Sequence, residues 1–142
     1  MAKKDLGKIA RRTLNAARFF FEQAGRVETH SIEYYGYYIE ATVVFAWMVL
    51  EHLEREFSEK RGAKKWIKNL EENRLLIKDL KQKRNSLSHE SPRGITLSQN
   101  DSFYLETSLD EASPEAKVTY EMLLNQLDEV EVIIDECEKR FK

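Results

Sequence analysis

The sequence predicts an all-α fold, an up-and-down bundle of four to five helices in a single domain, with either a small hairpin or a loop before the last helix. Three observations carry that expectation. Apolar residues return every three or four positions through most of the chain, which is the period of a helix with one buried face. Only 5 Gly and 2 Pro occur in 142 residues, too few for the many turns of a strand-rich fold. A hydrophobic content of 42% beside 34% charged residues suits one core with a well-solvated surface, at a length that needs neither disulfide nor metal to fold.

Leu6, Ile9, Ala16, Ala17, Phe20 and Ala24 recur at helical spacing, so a first amphipathic helix is expected from Asp5 to about Ala24, ended by Gly25. Phe19, Phe20 and Phe21 are consecutive and cannot share one stripe, so at least one of them lies beside the core seam. Thr29 or Ser31 can cap a second helix that runs to about Lys60. Val43 to Leu50 is apolar throughout, the pattern of a helix covered on all sides, which makes this the central helix. Tyr34, Tyr35, Tyr37 and Tyr38 surround Gly36 just before it, a cluster suited to a packed interface or to base stacking, with packing preferred.

Arg61-Gly62 marks a turn into a shorter helix over Ala63–Asn73, with Trp66, Ile67 and Leu70 inward. Another helix follows from Arg74 to about Ser88, patterned by Leu76, Ile77, Leu80 and Leu87; spacing leaves open whether the two are kinked or collinear. Ser91-Pro92-Arg93-Gly94 stops it. Between Ile95 and Ser113 no helical period survives, and weak alternation around Gln99-Asn100-Asp101 permits a hairpin or a loop. Ser113-Pro114 is a helix start, Ser as N-cap and Pro at the first helical position. Tyr120, Leu123, Leu127, Val130, Ile134, Cys137 and Phe141 then form a heptad seam.

Charge is unevenly placed. The formal total is −2, yet from Lys60 to Arg93 eleven cations face four acids, net plus 7, and from Gly94 onward four cations face twelve acids, net minus 8. A basic band of this kind attracts a polyanion such as RNA, or is simply a solvated helix face. Lys3, Lys4, Lys8, Arg11, Arg12 and Arg18 make the first helix basic too, to be solvated or, less readily, to form a second RNA-facing surface. Lys3 and Lys4 lead into no apolar signal core, and the run from Ala41 to Leu50 is too short to cross a bilayer. With Cys137 as the lone cysteine, no intrachain disulfide framework exists. A soluble cytoplasmic protein is expected.

The chemically informative stretch is Lys83-Arg84-Asn85-Ser86-Leu87-Ser88-His89-Glu90, where a Lys- and Leu-rich helix meets the Ser-Pro-Gly break. Arg84 offers a planar fork of donors for phosphate oxygens, and His89 can take and give a proton near neutral pH. On a continuous helix Asn85 and His89 share a face and Arg84 pairs with Ser88. Arg84 and His89 then diverge by roughly 140°. They meet on one ligand only if the helix ends near Ser88 or a second copy completes the site, and both are expected.

Arg84, the polar Asn85 and His89 after four intervening positions resemble the signature of the HEPN superfamily, all-helical domains found in many ribonucleases. The resemblance implies a metal-independent, cofactor-free endoribonuclease of toxin or defence type. His89 would be the general acid or base, Arg84 the phosphate-stabilising cation, and Asn85 would orient one or the other. It implies a homodimer with a composite active site, a 2′,3′-cyclic phosphate product, and an antitoxin or other inhibitory partner. It equally admits a non-catalytic RNA-binding or protein-interaction bundle. Some members carry Tyr two residues after the His as a target for modification; here Ser91 stands there, which weakens the expectation of that mode of control.

Around this motif Lys78, Lys81, Lys83 and Arg93 are the candidate RNA-binding cations, and Ser88, Glu40 and Thr42 the supporting polar residues, the latter two as buried partners that orient Arg84 or His89. His52 has no second His or Cys at ligand spacing and reads as a helix-surface residue rather than a metal ligand. His30 reads as a cap or an exposed residue. Cys137 falls on the seam and belongs to the core.

Overall fold

The computed structural model describes residues 6–26, 32–89 and 114–142. They form five helices: α1 (Lys8–Arg26), α2 (Ile32–Glu56), α3 (Ala63–Asn73), α4 (Leu75–His89) and α5 (Pro114–Phe141). Among the described residues there is no strand, and no helix is long and apolar enough to cross a membrane. The segment for which the sequence allowed a hairpin or a loop lies outside the described residues, as do Thr29, Ser31 and Ser113, the expected caps.

α2 is the central helix, touching each of the other four. Tyr35, Ile39, Val43, Ala46, Leu50 and Leu53 are all 1% exposed or less. Full coverage from Val43 to Leu50 does not hold, because Val44 is exposed and Phe45 and Met48 are half-buried. The other helices do not close around α2 completely, so one face keeps solvent contact. Tyr34 and Tyr37 open that face, their rings 6.1 Å apart, while Tyr35 is buried. The tyrosine cluster is therefore divided between core and surface.

α1 runs antiparallel to α2, their contact being the most extensive in the bundle. Its buried stripe is Ala10, Thr13, Leu14, Ala17, Phe21 and Ala24, which keeps Ala17 and Ala24 of the expected stripe but takes Ala10 and Phe21 in place of Ile9 and Phe20. Ile9 is 52% and Phe19 55% exposed. The exchange follows from packing: Ala10 and Ala17 let the backbones approach closely, and Phe20 is left at the margin, stacked 5.4 Å from Phe45. Gly25 does not end α1, which continues through Arg26. A Cβ at Gly25 would collide with the Tyr120 hydroxyl, so the glycine serves a close approach of α5.

The start of α1 is held by a carboxylate from the far end of α2. Glu56 accepts from the backbone N–H groups of Gly7 at 3.0 Å, Ile9 at 3.2 Å and Ala10 at 2.9 Å. These are first-turn donors that the helix itself leaves unsatisfied, and the negative charge sits at the positive end of the helix dipole.

α3 follows Gly62, whose φ of +84° is a left-handed conformation that favours glycine. The junction left open by the sequence is a break. Arg74 adopts an extended conformation, φ −95° and ψ 120°, and its guanidinium reaches Glu129 at 2.7 Å and Glu136 at 3.0 Å on α5. Ile67 and Leu70 point inward as expected, and Trp66 packs at the edge of the core against Phe141.

α5 begins at Pro114 and carries the heptad seam into the core: Leu123, Leu127, Val130, Ile134 and Cys137 are each 1% exposed or less. Its acidic outer positions meet α1. Arg11 pairs with Asp135 and Glu138, and Arg18 with Asp128 and Glu131. Arg11 and Arg18 are thus not simply solvated but engaged in ion pairs with α5. Together with the Arg74 pairs to Glu129 and Glu136, these contacts neutralise part of the acidic excess carried by α5.

Candidate functional site

α4 carries the candidate residues, and its rotational setting decides which of them reach solvent. Ile77 and Leu80 are fully buried, and a polar clamp to α5 fixes the helix beside them. Gln126, itself 0% exposed, donates to the Asp79 carboxylate at 2.6 Å and to the Leu76 carbonyl at 3.2 Å. Lys83 donates to Gln126 at 3.3 Å and pairs with Asp79 at 2.8 Å. A buried polar group is tolerated where it is hydrogen-bonded, and here the groups satisfy one another.

Lys83 therefore departs from its expected place among the RNA-binding cations. Only 9% exposed, it faces α5, and a phosphate could reach it only by breaking the clamp. Lys78 and Lys81 are exposed, Asn85 is exposed, and Arg84 is half-buried. α4 runs to His89, within one residue of the expected end near Ser88, so both motif positions lie on the helix. Positions 84 and 89 stay roughly 140° apart around one axis. The side chains of Ser88 and His89, and all of Arg93, lie outside the described residues.

The exposed side of α4 faces α3 across a shallow cleft of about 250 Å³, lined by Glu71, Glu72, Lys78, Lys81, Gln82 and Asn85. Lys78, Gln82 and Asn85 form one row along α4, and helical spacing puts position 89 in the same row, one turn beyond Asn85. Position 84 points to the other side. The cleft thus gathers two cations, two amides and two carboxylates, groups able to hold a phosphodiester and exchange a proton with it.

Glu71 is the residue that sequence reasoning missed. It is 6% exposed, and no described residue donates a hydrogen bond to its carboxylate. Its one ion-pair partner among the described residues is Lys81, at 3.9 Å. Burial pushes its carboxyl above the usual range; Lys68 and Lys81 pull against that shift, and Glu54 and Glu51 on α2 reinforce it. The signal was present in the spacing, because Glu71 lies one turn after Ile67 and next to Leu70, on the inward stripe of α3.

The supporting residues proposed on α2 have separate settings. Thr42 is 0% exposed, and its hydroxyl donates to the Tyr38 carbonyl at 2.7 Å, within its own helix. Glu40 is half-buried, and burial raises its carboxyl pKa. His52 is half-buried on α2, and among the described residues no group of three or more His, Cys, Asp or Glu is placed to hold a metal ion.

No family model, curated protein or solved structure matches the chain. The functional argument accordingly rests on α4, the cleft beside it and the chemistry of their side chains.

Proposed function

We propose that this protein is a metal-independent endoribonuclease of the HEPN type, acting as a homodimer with a composite site. The observation that carries the reading is the arrangement of α4. One row presents Lys78 and Asn85 to an open cleft and continues to position 89, while Arg84 emerges on another side of the same helix. A reaction that uses both Arg84 and His89 then draws them from two copies, each copy giving its Arg84 to the other's cleft.

In this reading the lysines draw the RNA backbone to the cleft, and Asn85 orients the phosphate. The ribose 2′-oxygen attacks the adjacent phosphorus and the 5′-oxygen leaves, giving a 2′,3′-cyclic phosphate and a free 5′-hydroxyl. His89 supplies the proton to the departing oxygen, and Arg84 of the second copy stabilises the charge that builds on the phosphoryl oxygens. A toxin or defence role, an inhibitory partner and a cytoplasmic location accompany the reading through the family resemblance.

The test is cleavage of labelled single-stranded RNA in the presence of EDTA. Wild type is expected to yield cyclic-phosphate ends, and His89→Ala to lose activity by about a hundredfold or more while remaining folded. Equal cutting by both proteins would remove His89 from the mechanism. Binding without cutting, with an affinity that falls steeply as salt rises, would instead indicate an RNA-binding bundle.

A further inference from the structure

The reaction proposed above moves two protons, one off the 2′-hydroxyl and one onto the leaving 5′-oxygen, and His89 accounts for only one of them. A second proton-transfer group has to face the same phosphodiester. Among the described side chains that line the cleft beside α4, Glu71 and Glu72 are the only ones with an ionisable carboxylate. They differ sharply in setting: Glu72 is exposed, and Glu71 is 6% exposed.

We propose that the α3–α4 cleft is the scissile-phosphate subsite and that Glu71 is its general base, with Lys78 and Lys81 holding the phosphate. The inference rests on the ribonuclease reading and names the second half of its acid–base pair. Glu71 is nearly enclosed as a residue and receives no hydrogen bond from any described residue, yet its carboxylate oxygens are not among the fully buried polar atoms, so they remain reachable from the cleft. Lys81 stands at 3.9 Å, beyond direct hydrogen-bonding distance, so the carboxylate oxygens retain acceptor capacity for a hydroxyl. The walls of the cleft supply cations for the anionic part of the ligand and the amides of Gln82 and Asn85 for its neutral oxygens.

The step balances without any further reactant. The Glu71 carboxylate takes the proton of the 2′-hydroxyl as the bond from the 2′-oxygen to phosphorus forms. The bond from phosphorus to the 5′-oxygen breaks, and that oxygen leaves with the proton from His89. The charged groups facing Glu71 come from three elements: Lys68 on its own helix, Lys81 on α4, and Glu51 and Glu54 on α2. Burial and the two α2 carboxylates favour the protonated form, the two lysines the ionised one. The raised pKa brings the base nearer to neutrality, where a general base is more effective, and activity should fall as pH drops through it.

The experiment compares wild type, Glu71→Gln, Glu71→Asp and His89→Ala on labelled single-stranded RNA in EDTA, across pH, with KM and kcat determined separately. Glu71→Gln should lower kcat by about a hundredfold or more with little change in KM, and the acid limb of its pH profile should disappear. Glu71→Asp should recover part of the rate with a displaced acid limb. Thermal unfolding keeps the result interpretable, since Glu71→Gln removes a buried charge and should fold at least as stably as wild type. If His89→Ala is inactive and Glu71→Gln retains wild-type kcat and acid limb, the inference falls and the ribonuclease reading stands. If wild type leaves RNA whole, both fall.

Discussion

Lys83 separates a structural cation from an RNA-binding one, and its setting allows the size of the effect to be worked out. Replacement by Met keeps most of the stem and removes the ammonium, with its 2.8 Å pair to Asp79. A hydrogen bond to a charged group contributes about 1.5–3 kcal/mol net, and the low end applies because water can reach the partner: Asp79 remains 39% exposed. Replacement by Ala also removes three methylenes from a side chain that is 11% exposed, at about 0.8 kcal/mol each. The expected losses are thus about 1–2 kcal/mol for Lys83→Met and about 3–4 kcal/mol for Lys83→Ala. Urea unfolding followed by circular dichroism measures both. RNA affinity measured on folded Lys83→Met should stay within about twofold of wild type, since the lost charge is shielded from the cleft side. Stability of Lys83→Ala within about 0.5 kcal/mol of wild type, with RNA affinity falling as it does for Lys81→Ala, would refute this account of the clamp.

Two further outcomes follow from other parts of the bundle. Glu56→Ala leaves three first-turn N–H groups of α1 without their acceptor and should cost about 2–3 kcal/mol, read as a lowered urea midpoint with unchanged slope. Cys137 is fully buried, and burial, aided by Glu138 and Glu56, pushes its thiol up to about 12. It should resist alkylation in the native protein and react once urea unfolds the chain. Because its unfolded value is near 9.0, its contribution is complete below that pH and is lost as pH rises toward 12. Cys137→Ala should therefore flatten the fall in stability over that range, and an equally steep fall in both proteins would contradict the assignment.

The elements legible in the sequence were those where one physical signal acts alone. The start of Ala63–Asn73 is marked by a turn glycine, and α5 by Ser-Pro and an unbroken heptad, so both are placed from sequence, whereas the break at Arg74 is not. On α1 the sequence places Ala17 and Ala24 correctly, but hydrophobicity points to Ile9 and Phe20 where packing against α2 selects Ala10 and Phe21. Composition cannot express that preference for small residues at a close contact. Gly25 was taken for a stop signal when its smallness serves Tyr120.

The same distinction governs the candidate site. Arg84, Asn85 and the cations around them were visible as residue types at a spacing, but exposure depends on which side of α4 turns to α5. Lys83 was misplaced for that reason: its inward position is set by Gln126, 43 residues away in sequence. Glu71 was overlooked because an acid beside lysines reads as one member of a solvated charged face. Its place on the inward stripe, one turn after Ile67, points the other way, and the surrounding helices complete its burial.

Functional complementation tests the central claim most directly, that Arg84 and His89 of different copies serve one reaction. Arg84→Ala and His89→Ala proteins are assayed for RNA cleavage in EDTA alone and after mixing in equal amounts under conditions that exchange protomers. Each alone should be inactive. The mixture should recover about one quarter of wild-type activity, because half of the dimers are mixed and each of those keeps one intact site of two. A mixture as inactive as its components, with exchange confirmed, would contradict the shared site and the account built on it.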